Sequence, residues 1–158
     1  MPPRIPGTAS QFEPPDDLNP YIDALPTPYA ATIPKMKTQG EIEAAICEAM
    51  SRFEREYMGR GPKDCHAHLL GDLLVVRLRD ILTAAERHLV TTLPAEKGRD
   101  LLKQVRSQLI EIARPALEAM VQDITGVKVR SFHHDISTIT GEKVVIFALN
   151  EVPAFRET

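Results

Sequence analysis

The sequence predicts an α+β two-layer sandwich in the order α-β-β-α-α-β-β, in which two hairpins form a four-stranded, mostly antiparallel sheet with three to four helices on one face. Two observations lead to this fold class. Segments whose apolar residues recur with helical spacing alternate with pairs of short segments that have strand character. Each pair contains a glycine turn and ends in an apolar strand, at residues 73–78 and at residues 144–149.

A proline-rich arm precedes the domain. Nine of the thirteen prolines lie in residues 2–34, where no apolar period is sustained. Because proline fixes φ and lacks a backbone donor, residues 1–38 are expected to be extended or disordered. A single α+β domain is placed at residues 39–151, and residues 152–158 form a tail.

The first helix begins at a capping box formed by Thr38 and Glu41, which have the three-residue spacing of this motif. Apolar residues then follow i, i+3 and i+4 spacing, and charged residues, Glu54 among them, occupy the other face. Gly59 or Gly61 is expected to end the helix.

The first hairpin and a short second helix come next. Residues 65–70 and 73–79 are predicted to be antiparallel strands around a tight turn at Gly71. Thr83 and Glu86 repeat the capping-box spacing, so a second helix is expected to begin there.

The third helix begins at Pro94 and carries a sustained apolar period. Pro115 interrupts this period, and it predicts either a kink or a new helix start, because proline removes one intrahelical hydrogen bond. Gly126 supplies a stop signal. Residues 127–138 and 142–149 then form the second hairpin.

Both faces of the predicted sheet carry apolar residues, because side chains alternate between the two faces along a strand. The helices should cover only one of these faces. The other face keeps a semi-apolar surface that a monomer would rarely expose. We therefore expect a homo-oligomer, in the first instance a dimer, or an arm folded over this face, which consists of Leu73, Val75, Val144, Ile146 and Ala148.

Composition excludes several classes of function. The net charge is −3, which disfavours nucleic acid as a partner. No stretch reaches the roughly 18 apolar residues of a membrane span, and residues 1–7 lack the apolar core of a secretory signal. We expect a cytoplasmic protein that does not insert into the membrane. Cys47 and Cys65 show no metal or redox spacing and are expected to be free thiols.

Residues 133–142 form the densest polar stretch, with two imidazoles, a carboxylate and three hydroxyls before the last strand. The loop of residues 59–61 places an arginine between two glycines, and an arginine fork suits a carboxylate, phosphate or bicarbonate. If the two segments lie close together, they form one pocket. The candidate ligand- or anion-binding residues are Gly59, Arg60, Gly61, Arg114, His134, Asp135, Ser137 and Thr138.

Each candidate also has a plainer structural interpretation. Arg60 could offset the dipole at a helix end. Arg114 could form a salt bridge with Glu111 or Glu118. His134 could be a core histidine, and the hydroxyls could bond within a turn.

A weaker alternative is a metal site. His66 and His68 share one strand face, and His133 and Asp135 share another, so zinc would have four ligands if the two strands were neighbours. No cofactor and no catalytic residues are expected otherwise.

Several blocks of the chain form an ordered series over about residues 37–151. They are residues 57–62, 74–78, 82–83 with Glu86, 112–115, 125–129, and 134–138 with 140–142. These blocks resemble the MpsC family, a component of a sodium-translocating, membrane-potential-generating system. The resemblance implies a small cytosolic protein that works with membrane systems for ion or inorganic-carbon uptake. It implies no enzymatic activity.

Together these observations favour a non-enzymatic accessory or regulatory module that binds a small anion or a protein partner of the membrane system. Two alternatives remain open at this point. One is a metal-assisted hydrolase that uses the histidine and aspartate residues of the sheet. The other is an RNA-binding module, which net acidity and few aromatic residues disfavour.

Overall fold

The computed structural model describes residues 36–157, so nearly all of the predicted proline-rich arm lies outside the described residues. Helices and strands follow one another in the predicted order, and the α+β sandwich is confirmed. The elements are α1 (Gln39–Phe53), which continues as a π-helical turn (Glu54–Met58), β1 (Asp64–Leu70), β2 (Leu73–Arg79), α2 (Ala84–Thr92), α3 (Ala95–Thr125), β3 (Val129–Ile136) and β4 (Lys143–Leu149).

The four strands form one open sheet in the order β1-β2-β4-β3. Each hairpin is antiparallel, and the two hairpins join through antiparallel pairing of β2 with β4, in which Leu74 faces Phe147 and Val76 faces Val145. The prediction that the two hairpins form one four-stranded sheet is therefore confirmed, and β1 and β3 lie at its opposite edges.

The core lies between the sheet and the helices α1 and α3. Alternate residues of β2 and β4 are buried on the helical side, while the five apolar residues predicted for the opposite face are all partly exposed. Burial of the apolar side chains on the helical side provides the main driving force for folding. The largest buried side chains include Ile42, Ile46 and Met50 of α1, Ile110 and Leu117 of α3, and Leu74, Leu78, Phe147 and Leu149 of the sheet.

Both predicted capping boxes are present. The Thr38 hydroxyl accepts from the Glu41 N–H (3.1 Å), while the Glu41 carboxylate accepts from the Thr38 N–H (3.0 Å). Thr83 and Glu86 exchange the same pair of bonds at the start of α2. These bonds satisfy backbone donors that a helix start leaves without intrahelical partners, which explains why both helices begin where they do.

Two sequence expectations are corrected. Of the two alternatives predicted at Pro115, a new helix start is wrong: the residue lies inside the continuous α3, where Ala113 and Leu117 on either side of it are buried in the core. Glu54 is not on the solvent face. It is 0% exposed, because it continues a row of buried side chains that are spaced four residues apart along α1.

The end of the described chain returns to the beginning of α1. The Arg156 N–H donates to the Lys37 carbonyl (2.8 Å), and Arg156 forms a parallel bridge with Thr38. Pro153 is buried in this segment. Among the described helices, none combines the length and the apolarity needed to cross a bilayer, although α3 has 31 residues.

Candidate functional site

The predicted site residues fall into separate groups. His134 and Asp135, neighbours on the edge strand β3, both line one small cavity beside α3, where Asp135 accepts from Lys103. Arg114, on α3, is near His134. Arg60, in contrast, lies beyond one end of the sheet, beside Asp80. The structure therefore does not bring the whole predicted set into one pocket.

Arg114 forms the salt bridges that its plainer interpretation gave it, and His134 is partly buried. Arg114 Nε donates to Glu118 (2.8 Å), and this bond raises the pKa of the arginine. The guanidinium lies 5.7 Å from the centre of the Phe132 ring. His134 Nε2 is 3.5 Å from Glu111, and its ring lies 5.2 Å from the ring of Phe132. This cluster joins α3 to β3.

Asp135 and Ser137 lie near the end of β3. Asp135 accepts from Lys103 (3.0 Å) and from the Ile136 N–H (2.8 Å), and these bonds lower the pKa of the carboxyl, the lysine first. The Ser137 hydroxyl accepts from the Thr140 N–H (3.2 Å). This is the kind of hydrogen bond within a turn that the plainer interpretation of the hydroxyls describes.

The turn between β3 and β4 is docked onto the segment that follows β2. The Ile81 N–H donates to the Gly141 carbonyl (3.0 Å). Gly141 has φ +74°, and a Cβ there would lie 3.6 Å from the Cα of Asp80. The left-handed backbone at Gly141 therefore brings Thr140 and Glu142 beside Asp80 and, through it, beside Arg60.

An open groove of about 450 Å³ occupies this end of the sheet. We call it the basic groove, and its lining residues are Lys63, Arg77, Arg79, Asp80, Arg87, Thr140 and Glu142. A neighbouring open groove of about 370 Å³ shares Glu142 with it and is lined further by Asp135 and Ser137. Three of the predicted site residues, Arg60, Asp135 and Ser137, thus lie on or beside one surface.

Carboxylates hold the arginines of the basic groove in place. Asp80 binds both Arg60 (3.0 Å) and Arg87. Two nitrogens of Arg77 bind Glu142, at 2.7 and 2.8 Å. Asp80 adopts φ +56°, a left-handed conformation that non-glycine residues rarely adopt, and it occurs at the residue that binds two arginines.

Positive charge exceeds negative charge around the basic groove. Arg79 binds Asp64 (3.1 Å), so with Arg60 and Asp64 included, five cations face three carboxylates. The arginines remain 44–51% exposed, so their unused N–H groups can reach a ligand. An arginine that binds a carboxylate with some of its N–H groups can bind a second carboxylate, or a phosphate, with the remaining ones.

Sequence reasoning found Arg60 but did not select Lys63, Arg77, Arg79 or Arg87. A signal existed for two of them: Arg77 and Arg79 continue the outward-facing positions of β2, where an apolar residue would otherwise complete the semi-apolar face. Lys63 and Arg87 reach the groove only through the packing of a loop and of α2, which no local pattern indicates.

The four residues of the alternative metal site are aligned but far apart. His66 pairs with Arg77, Arg77 with Val144, and Val144 with Asp135; the row of His68 leads likewise to His133. The pairs lie on opposite edge strands, about 14 Å apart at the usual strand spacing. Within residues 36–157 no three histidine, cysteine or acidic side chains are clustered as metal ligands would be.

A buried network of four charged side chains, which sequence reasoning missed, underlies the same end of the fold. Lys143 Nζ donates to Glu54 (2.5 Å), and Arg106 binds Glu86 through two nitrogens (2.6 and 2.7 Å). Arg106 also lies 3.6 Å from Glu54, which links the two pairs. Exposed fractions are 0–5%, except for Glu86 at 20%.

Protonation in this network reflects burial and pairing. Burial lowers the pKa of Lys143, and Glu54 opposes that effect. Burial would raise the pKa of Glu86, but hydrogen bonds from Arg106 and Thr83 outweigh burial and bring this pKa below its usual value. Glu86 thus caps α2 and also ties it to α3.

A small cavity of about 60 Å³ adjoins the network, with Lys103, Arg106, His134, Asp135 and Lys143 among its lining residues. Its cations are already paired with Glu54, Glu86 and Asp135. The cavity is large enough for water. Its balanced charge makes it a poorer anion site than the basic groove.

Comparisons with known proteins give a consistent result. The profile of the family described as "Na+-translocating membrane potential-generating system (MpsC)" matches residues 38–151. The uncharacterized protein YbcI of Bacillus subtilis (strain 168) is 38% identical over 113 residues, which cover 72% of this chain and 89% of YbcI. No solved structure matches the chain.

Proposed function

The chain belongs to the MpsC family, and from this we propose that it is a non-enzymatic accessory or regulatory module of a Na+-translocating, membrane-potential-generating system. The family match covers all the described helices, the cap of α1 included, and the whole sheet, so the basic groove lies within the shared domain. We place the module in the cytoplasm, where the free thiols Cys47 and Cys65 would stay reduced.

We propose that the basic groove binds an acidic segment of a protein partner in that system. The observation that carries this proposal is the excess of five cations over three carboxylates around an open groove of about 450 Å³. Each arginine is partly solvated, so one ion pair would contribute about 0–1 kcal/mol. Useful affinity requires several pairs at once, which a chain segment with successive carboxylates supplies better than one small anion.

The groove chemistry favours binding over catalysis. The Thr140 hydroxyl already accepts from the Glu142 N–H (3.2 Å), and the groove arginines are held by carboxylates. Guanidinium groups stay protonated near neutral pH, so they serve as donors rather than as general bases.

Co-purification from native membranes tests this proposal. We expect the full chain to retain a membrane-system protein at low salt, and the variant Arg77→Gln/Arg87→Gln to retain at least about 10-fold less, because two forks are lost. Raising salt to about 0.5 M should have a similar effect on the unaltered chain, since exposed charges are screened. The amounts are measured by quantitative mass spectrometry.

The matched control is Arg99→Gln, which removes an arginine whose carboxylate partner, Asp100, is its neighbour on α3 and whose side chain is outside the groove lining. This variant should retain the partner as the unaltered chain does. Equal retention by the groove variant and the control would contradict the groove proposal.

A further inference from the structure

The outer face of α3 exposes an apolar stripe. Its large members are Leu101, Val105, Leu109 and Ile112, exposed by 43, 49, 36 and 72% respectively. Ala116 and Ala119 continue the row, and both are exposed. We call these six residues the α3 stripe. Successive members are three or four residues apart, so they lie along one side of the helix.

No charged residue belongs to the α3 stripe. The positions beside it include the uncharged Gln104, Gln108 and Pro115, and Glu111, which flanks Ile112, pairs with Arg114 and His134. An uncharged apolar face about 20 residues long is unusual for a solvent-facing helix, whose exposed side is normally polar. The absence of charge favours a helical partner of similar length.

We propose that the α3 stripe binds the α3 stripe of a second copy of this chain, with the two helices antiparallel about a twofold axis near residues 110–111. The order of side-chain sizes supports this register. Leu101 would face Ala119, Val105 would face Ala116, and Leu109 would face Ile112, so large residues meet small ones at both ends. Such a surface is complementary to itself, as a twofold interface must be.

Charge at the ends of the stripe supports the same register. In this pairing Lys97 of one copy lies beside Asp123 of the other, and the twofold axis repeats the contact at the opposite end. Both residues are exposed, and neither takes part in an ion pair among the described residues. A parallel arrangement would instead place like charges together, which costs energy.

The dimer is independent of the proposed function, because no residue of the α3 stripe lines the basic groove. The chain could lose one surface and keep the other. Failure of the dimer experiment would therefore leave the co-purification result unaffected, and the reverse also holds.

Analytical ultracentrifugation of the full chain tests the dimer. We expect a dimer at micromolar concentration and at least about a 100-fold weaker association for Ile112→Glu, because this change would bury a charge at the interface centre. Ile112 is 72% exposed, so the fold of the monomer should persist, as circular dichroism would show. The matched control is Ile139→Glu, at an isoleucine 95% exposed outside the stripe, which should leave association unchanged.

A charge exchange tests the antiparallel register. Lys97→Asp should weaken association by several-fold through two like-charge contacts, and Lys97→Asp/Asp123→Lys should restore it. Three results would each overturn the proposal. They are a monomeric unaltered chain, a dimer that survives Ile112→Glu, and a double variant that associates more weakly than Lys97→Asp. A surviving dimer would indicate another interface, such as the semi-apolar face of the sheet.

Discussion

Lys143→Met is expected to lower the free energy of unfolding by about 3–5 kcal/mol, the usual effect of removing one partner from a buried ion pair. The ammonium is the only hydrogen-bond donor to the carboxylate of Glu54 among the described side chains. Without it, Glu54 would keep a buried negative charge whose nearest cation, Arg106, lies 3.6 Å away. Chemical denaturation followed by circular dichroism measures the change.

Two further variants separate charge from packing. Glu54→Leu/Lys143→Met removes both charges and should recover most of the lost stability, because an apolar pair avoids the desolvation that the ions suffer. Arg52→Met breaks the exposed pair with Glu48 and should change the free energy of unfolding by about 0.5 kcal/mol or less. If the double variant were as unstable as Lys143→Met, the loss would come from packing instead.

Gly98→Ala is expected to destabilise the protein by about 1–3 kcal/mol, the usual effect of overpacking a core. Alanine is the better helix former by about 0.5–1 kcal/mol, which would favour the substitution on an isolated helix. Here α2 crosses α3 so closely that a Cβ would lie 2.9 Å from the Leu89 carbonyl oxygen and 3.1 Å from the Val90 Cα. Both obstacles are backbone atoms, so α2 itself would have to move.

The control for Gly98→Ala is Gly40→Ala in α1, where nothing lies within 4 Å of the added methyl. That substitution should be neutral or stabilise by up to about 1 kcal/mol. Thermal unfolding of the two variants gives the comparison. A Gly98→Ala variant as stable as Gly40→Ala would show that the α2–α3 crossing is not tightly packed.

Local patterns were sufficient to predict the helices and hairpins. The spacing of Thr38 with Glu41 and of Thr83 with Glu86 located two helix starts, because a capping box is built from residues close in sequence. The same spacing rules did not identify Glu54 as buried, although it continues the row of Ile42, Ile46 and Met50, since a carboxylate at such a position is usually solvated.

The site was less predictable, because its residues are distant in the sequence. Pairing of β2 with β4 places the two pairs of candidate metal ligands on opposite edges, and no local pattern determines which strands of two hairpins become neighbours. The basic groove depends on the docking of Gly141 against Asp80, a contact between segments about 60 residues apart. Arg106 and Lys143 each occupy a row of otherwise apolar residues. Arg106 lies between Leu102 and Ile110 on α3, and Lys143 precedes Val145 and Phe147 on β4. These positions were a signal in the sequence for both residues.

Binding of anionic groups in the basic groove is tested most directly by NMR titration of the full ¹⁵N-labelled chain with a hexaglutamate peptide, with inorganic phosphate and bicarbonate as small-anion comparisons. We expect saturable shifts of the amides of Asp80, Arg87 and Gly141, strongest with the peptide and reduced in Arg77→Gln/Arg87→Gln. Saturation by phosphate or bicarbonate at lower concentration than the peptide would identify a small-anion site instead. Shifts confined to other surfaces, or none with any of the three, would contradict a binding role for this groove.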